Sequence, residues 1–315
     1  MTILPISAVV PTRNRPAPLQ RTLQSLLAQS AVPSEVHVID SSDDDRTREL
    51  ISSYSAHVTG DCQFIWVRSN TRGAAAQRNE ATAGLTQPLV CFFDDDILFE
   101  PECVSRLWQA LEQDVKLGGV NAMIVNQRYF PPGFVSRCVF TILNGRSEKT
   151  FAGKLLGPAV NLLPEDSDNL PEIGPVEWLN LGCTIYRRDA LPSPPFDSFF
   201  RGYSLMEDVV LSVRVAEGGW KLANVRTARI FHDSQPGEHK SDIAAHAEME
   251  LINRHYVMTK VLKRATVWDY LRLAVWELFS LVSSTRTKND LAKLPGIFAG
   301  KCSGLARILL GKPKC

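Results

Sequence analysis

Apolar, β-branched runs recur through the first hundred residues of this 315-residue chain, at ISAVVP (6–11), EVHVID (35–40), QFIWV (63–67) and PLVCFF (88–93). Each has the length of a strand. Between them the spacing changes to that of a helix. In 16–29, Leu19, Leu23, Leu26 and Leu27 fall at i, i+4, i+7 and i+8 behind Pro16, a residue suited to a first helical turn. Segments 46–56 and 73–86 are weaker helix candidates, and 101–113 sets Val104, Leu107, Trp108 and Leu111 on one face. Strands alternating with helices predict βαβ units and an α/β fold with a mainly parallel sheet.

In such sheets ligands bind beyond the carboxyl ends of the strands. Polar clusters stand at those ends: TRNR after the first strand, Asp40 closing the second, NTRG after the third, and Asp94, Asp95 and Asp96 after the fourth. They are expected to converge on one crevice. Residues 128–175, rich in Pro and Gly with little sustained periodicity, read as an excursion of loops and short elements. Patterning returns at 177–191, a strand followed by a turn. A helix is expected near Glu207, and an apolar segment ends in TARIFHD (227–233).

Composition changes this picture little. The chain is 44% hydrophobic and 22% charged with a net charge of +1, which is ordinary for a soluble globular protein and gives no reason to expect nucleic acid as a partner. The charge is uneven: from Arg254 onward twelve Lys and Arg face three Asp and Glu. Seven single cysteines, without a CxxC pair, predict neither a disulfide framework nor a zinc site. The N-terminus lacks the pattern of a signal peptide, and no uncharged apolar stretch reaches transmembrane length. A cytoplasmic body is the expectation.

Three adjacent carboxylates repel one another unless a cation sits among them. On an extended strand Asp94 and Asp96 share a face while Asp95 looks elsewhere, and the pair could grip a hard divalent ion. The ion would supply the charge that makes the cluster tolerable. Arg72 and Arg78 are candidate phosphate contacts. Glu207 and Asp208 either compensate a helix dipole or supply a general base. His232, closing a strand, is a candidate metal ligand.

Taken in order, AVVPTRNRP, VIDSSDDD, N-x-x-G-x-x-x-x-R-N (70–79), the apolar run into DDD, FD-x-x-F (196–200), ED-x-x-L-x-x-R followed by GG (207–219) and a late histidine resemble the family 2 glycosyltransferases. The resemblance covers roughly residues 6–233. It implies a GT-A fold and a nucleotide-sugar-dependent transfer that needs Mn²⁺ or Mg²⁺. It further implies that Pro11, Thr12, Arg13, Asp40, Asn70, Gly73, Arg78, Asp94 and Asp95 line the donor site. Asp94, Asp96 and His232 would be the metal ligands, Asp208 beside Glu207 the base of an inverting displacement, and Arg214 the arginine that follows this pair. Trp178 and Gly182 would lie on the acceptor side, with Trp178 equally readable as core.

The expected organisation is a catalytic domain over 1–240, with a donor half at 1–125 and an acceptor half at 126–240, then a basic helical region at 241–315. Partners follow from the resemblance: a nucleoside-diphosphate sugar and a glycan or lipid-linked acceptor. Two rivals are a haloacid-dehalogenase-type phosphatase, which also places DxD after a strand, and a non-catalytic sugar-nucleotide binder. In the tail, 266–282 has polar positions Asp269, Arg272, Glu277 and Ser280 on one arc and a broad apolar face opposite, flanked by Lys260, Lys263, Arg264, Arg286, Lys288 and Lys293. Such a helix could lie on an anionic membrane surface, giving peripheral contact through 254–315 at the inner face of the cell membrane. Alternatively it docks on protein.

Overall fold

The computed structural model describes residues 1–57, 62–203, 205–234, 242–283 and 288–311. Contacts divide it into two units, one of 1–128 with 164–235 and one of 129–163 with 236–315.

The first unit is built on β1 (Thr2–Thr12), β2 (Ala31–Asp40), β3 (Gln63–Arg68) and β4 (Leu89–Phe93), with α1 (Pro16–Leu27), α2 (Arg46–His57) and α3 (Ala74–Thr82) between them. These are the four strands and three helices that the alternation predicts. The amphipathic spacing of α1 buries Leu19, Leu23 and Leu26, each worth about 1.5–3 kcal/mol when fully removed from water. There follow β5 (Ile97–Phe99), α4 (Cys103–Gln113) and β6 (Leu117–Ile124), then, after the excursion, β9 (Ile173–Pro175), β10 (Cys183–Arg187), α6 (Glu207–Glu217) and β11 (Lys221–His232).

One sheet holds these strands in the order β3-β2-β1-β4-β10-β6-β11-β5, with β9 on β11. It is parallel across β3, β2, β1 and β4. Beyond β4 it is mixed, because β10 runs antiparallel to both β4 and β6. A single core of Ile6, Leu23, Val38, Phe93, Leu107, Ile185 and their neighbours fills the space between sheet and helices. Cys91, Cys103 and Cys183 are free thiols within it. Cys315 lies outside the described residues.

The second unit contains α5 (Phe134–Asn144), the short pair β7 (Leu155–Leu156) and β8 (Val160–Asn161), and α7 (Ile243–Tyr256), α8 (Val267–Ser283) and α9 (Lys288–Leu309). Two sequence expectations meet a different outcome here. Residues 129–163 group with the C-terminal helices and not with the acceptor half at 126–240. Moreover, 134–144 is a helix of 11 residues where loops and short elements were expected. Its periodicity is masked because apolar residues stand on both sides: Phe140 and Leu143 are buried, whereas Phe134, Val135 and Ile142 are exposed. α8 packs on α5 through Val275, Trp276 and Phe279. The protein-docked reading of α8 therefore holds for one of its sides.

Candidate active site

The polar clusters do converge at the carboxyl end of the parallel strands. β1 delivers Thr12, whose hydroxyl donates to Asp95 Oδ2 at 2.6 Å. Three residues on, Arg15 reaches the same cluster, with Nη1 2.8 Å from Asp95 Oδ1 and Nη2 2.6 Å from Asp96 Oδ2. α3 buries Gln77 and Arg78. The Gln77 amide donates to the carbonyls of Thr12 and Ile39 at 3.2 and 2.6 Å, tying the ends of β1 and β2 together. Arg78, 2% exposed, puts Nη2 2.6 Å from Asp94 Oδ1 and Nη1 3.8 Å from Glu207 Oε1. Its guanidinium lies 5.7 Å from the centre of the Phe196 ring.

Two arginines therefore meet the charge of the acidic run. The sequence argument assigned that task to a metal alone. Arg15 holds Asp95 and Asp96, and Arg78 holds Asp94. The three carboxyls consequently differ. Burial pushes Asp95 up to about 7 against the pull of Arg15 and Thr12. Burial acts on Asp96 too, but hydrogen bonds from His232 and Arg15 outweigh it and hold this carboxyl at about 2. Asp94 is raised by its dense surroundings, with Arg78 opposing, although water still reaches 34% of its side chain.

Asp94 and Asp96 lie past the end of β4, in the turn before β5, so strand alternation does not set their directions, yet their carboxylates approach each other. Together with His232 they offer three ligand atoms all within 4.8 Å of one another. Two carboxylates and an imidazole fit a hard or borderline divalent ion. His232 Nε2 stands 3.1 Å from Asp96 Oδ1, and its Nδ1 stands 2.7 Å from the amide nitrogen of Gln127. An Nε2 metal ligand carries its proton on Nδ1, and Gln127 meets that need once its amide is turned so that the oxygen accepts from Nδ1–H. The backbone N–H of Asp94 donates to the Gly182 carbonyl at 3.3 Å, which seats Gly182 against the metal group.

Glu207 and Asp208 open α6, and the backbone N–H of Val209 donates to Asp208 Oδ1 at 2.7 Å. Burial raises both carboxyls above the ordinary range. Asp208 repels the charge on Glu207 while Arg78 partly offsets the rise in each, and Glu207 is the further raised. The remaining motifs brace this arrangement. Asn79 clasps Phe196 through both backbone groups, at 2.8 and 2.9 Å. Arg214 Nη2 bonds Asp197 Oδ2 at 2.6 Å, joining the FD segment to α6.

Several expected residues sit differently from their sequence reading. Asp40 is fully buried; its oxygens accept from the Ser42 N–H at 2.8 Å and the Trp66 indole N–H at 3.0 Å, so it forms the crevice wall. Trp178 is only 6% exposed, which leaves no open ring face for a sugar to stack upon. Arg78 is committed to internal ion pairs, whereas Arg72 is exposed and, like Arg13, lies 3.4 Å from Asp43. Pro11 is the last but one residue of β1, and Asn70 is exposed just past β3. Gly73 has φ +125°, and a Cβ there would stand 2.5 Å from the Gly202 carbonyl oxygen. Arg15, Gln77 and Gln127 were missed. Arg15 lies within the TRNR cluster, but one strand-end residue looks like another until the fold aims it.

Residues 7–146 match the sequence model of the family described as glycosyl transferase family 2. A validoxylamine A glucosyltransferase of Streptomyces hygroscopicus subsp. limoneus is 31% identical over 107 residues, 33% of this chain and 23% of that protein. An uncharacterized glycosyltransferase of Haemophilus influenzae is 33% identical over 110 residues, 35% of each chain. The matches span 23 to 35% of the length of these curated relatives. Among solved structures, a mannosyltransferase, PcManGT of Pyrobaculum calidifontis, in complex with GDP-Man and Mn²⁺, superposes with a TM-score of 0.55 at 16% identity, over 96% of this chain and 75% of that one. GalNAc-T7 with UDP, GalNAc and Mn²⁺ gives 0.54 at 14%, over 78% and 51%. At such identities the likeness is one of fold. Over residues 7–146 the chain is thus similar to glycosyl transferase family 2, and its sheet is of GT-A type.

Proposed function

We propose that this protein transfers a glycosyl group, with inversion, from a nucleoside-diphosphate sugar to a hydroxyl of a glycan, polysaccharide or lipid-linked acceptor. The observation that carries the reading is Arg78, which joins the Asp94–Asp96–His232 group to Glu207 and places a metal-ligand set and a raised carboxyl pair in one crevice. Mn²⁺ or Mg²⁺ held by Asp94, Asp96 and His232 would supply Lewis-acid stabilisation of the leaving diphosphate. Arg13 and Arg72, accessible beside Asp43, are suited to bind the diphosphate oxygens. Pro11, Thr12, Asn70 and Gly73 form the donor side around them, and Asp40 and Asp95 support it from beneath.

Asp208 takes the proton of the acceptor hydroxyl. Its raised proton affinity suits a general base better than that of an exposed aspartate. Glu207, the further raised of the two, retains its proton more readily and leaves Asp208 the charged partner. Gly182 and the segment around Trp178 bound the acceptor side. The setting is cytoplasmic, and a lipid-linked acceptor would be met at a bilayer, so peripheral membrane contact through 254–315 belongs to the same reading. Among the described residues no helix is long and apolar enough to cross a membrane.

The test is a screen of sugar nucleotides with and without Mn²⁺, read by released nucleoside diphosphate. Metal-dependent release from a donor class is expected. Binding of the donor without turnover, in the presence of acceptor glycans, would make the protein a binder. Stabilisation by free phosphate equal to that by the nucleotide would favour the phosphatase.

A further inference from the structure

α8 is inside out. Its polar arc faces protein: Glu277 has Oε2 2.8 Å from Lys301 Nζ and Oε1 3.6 Å from Arg254 Nε, and Asp269 accepts from the Thr266 hydroxyl at 2.7 Å. Lys301 and Arg254 also pair with Glu250, at 2.9 and 3.0 Å, completing a partly buried charge cluster within the helical unit. The side turned to solvent is apolar. Val267, Leu271, Leu278 and Val282, spaced i, i+4, i+11 and i+15, are 75, 49, 64 and 61% exposed, and Trp268 beside them is also exposed. In water a helix is stabilised by the opposite arrangement.

Exposed apolar positions recur on two neighbours. On α9, Leu291, Phe298, Leu305 and Leu309 stand at i, i+7, i+14 and i+18, all exposed. On α5 the exposed positions include Phe134, Val135 and Ile142. The stripes of α8 and α9 meet in a shallow groove of about 440 Å³ lined by Leu281, Val282, Leu294, Pro295 and Phe298 alone. A contiguous exposed apolar patch of this kind, shared by α8 and α9, marks an interaction surface.

We propose that this face of the helical unit is seated in the interfacial layer of an anionic bilayer. Charge selects the occupant. The unit carries 17 Lys and Arg against eight Asp and Glu, a net +9, leaving −8 for the remainder of the chain. Among its described residues Arg137, Lys149, Lys260, Lys263 and Lys293 are exposed, whereas the acids are paired, buried or, in Asp242, spent capping α7. A second copy would bring +9 against +9. An anionic lipid surface attracts each exposed base and accepts the apolar stripes without a spanning segment. Trp268 and Tyr270, both exposed, suit the headgroup depth. Of the basic flanks expected from sequence, Arg286 lies outside the described residues. The seat rests on the membrane part of the proposed function and not on the transfer reaction.

The full chain is to be co-sedimented with vesicles of phosphatidylcholine alone and of phosphatidylcholine and phosphatidylglycerol in equal parts. Expected are binding to the second, weakened by salt, and a loss of at least roughly tenfold in Leu271→Glu/Leu278→Glu, which exchanges two solvent-facing leucines. The variant should keep its urea midpoint and its nucleoside diphosphate release from a soluble donor, so failure of vesicle binding and failure of the transfer reading are separately visible. Equal binding by parent and variant, or no binding to anionic vesicles, would overturn the proposal. A concentration-dependent dimer that the variant abolishes, without vesicle binding, would assign the face to a second copy.

Discussion

Replacing Arg78 by Met keeps the aliphatic stem and removes the guanidinium that lies between Asp94 and Glu207. At an effective dielectric of about 20, opposite charges about 4 Å apart attract by about 4 kcal/mol. Removing one member of a buried pair costs about 3–5 kcal/mol, because the other charge remains. The contact with Phe196 at 5.7 Å contributes about 0.5–2 kcal/mol more. Two features soften the loss: water reaches a third of Asp94, and Glu207 already holds its proton more tightly than an ordinary carboxyl. A destabilisation of roughly 3 kcal/mol near neutrality is expected. Without Arg78 both carboxyls rise further. A carboxyl raised in the folded state contributes stability that is present below its unfolded pKa and is lost as pH climbs through the folded one. The deficit of the variant should therefore be small near roughly pH 5 and full near roughly pH 9. Urea unfolding in EDTA at both pH values measures it. A deficit below about 1 kcal/mol, or one of equal size at both, would refute the pairing.

Asp208→Asn should lower transfer by about 10²–10⁴-fold, or about 3–5.5 kcal/mol of barrier, while donor binding and the urea midpoint hold; turnover at the parental rate would remove the base. Gly73→Ala should lose more than about 1 kcal/mol, since alanine strains at φ +125° and its Cβ would meet the Gly202 carbonyl; an unchanged unfolding midpoint would show that the turn can relax.

Much of residues 1–125 was legible because period and position coincide there. Strand runs of period two, helices of 3.6 and polar residues at each strand end all point to one crevice, and Asp94, Asp96, His232, Glu207 and Asp208 are gathered in it. Ion-pair partners were illegible: nothing in TRNR distinguishes Arg13, at the accessible mouth, from Arg15, locked on Asp95 and Asp96. Burial was illegible where chemistry looked familiar: Asp40 read as a contact and is fully buried, and Trp178, readable as a contact or as core, is buried. α5 defeated periodicity because it carries apolar residues on both its buried and its exposed sides. α8 was legible as a helix at 266–282, but its periodicity does not say which of its sides meets protein.

β10 is the strand on which the whole sheet waits. It lies between β4 and β6, yet it is made of residues 183–187, beyond the segment 7–146 that carries the family likeness. On the ribosome, β4 and β6 emerge long before the ribbon that will join them, and each must stand with a raw edge until then. A fragment cut at residue 146 would keep that vulnerability permanently and would be prone to sticking to its own kind. The region that looks most like a self-sufficient module is thus half of a seam whose other half arrives late.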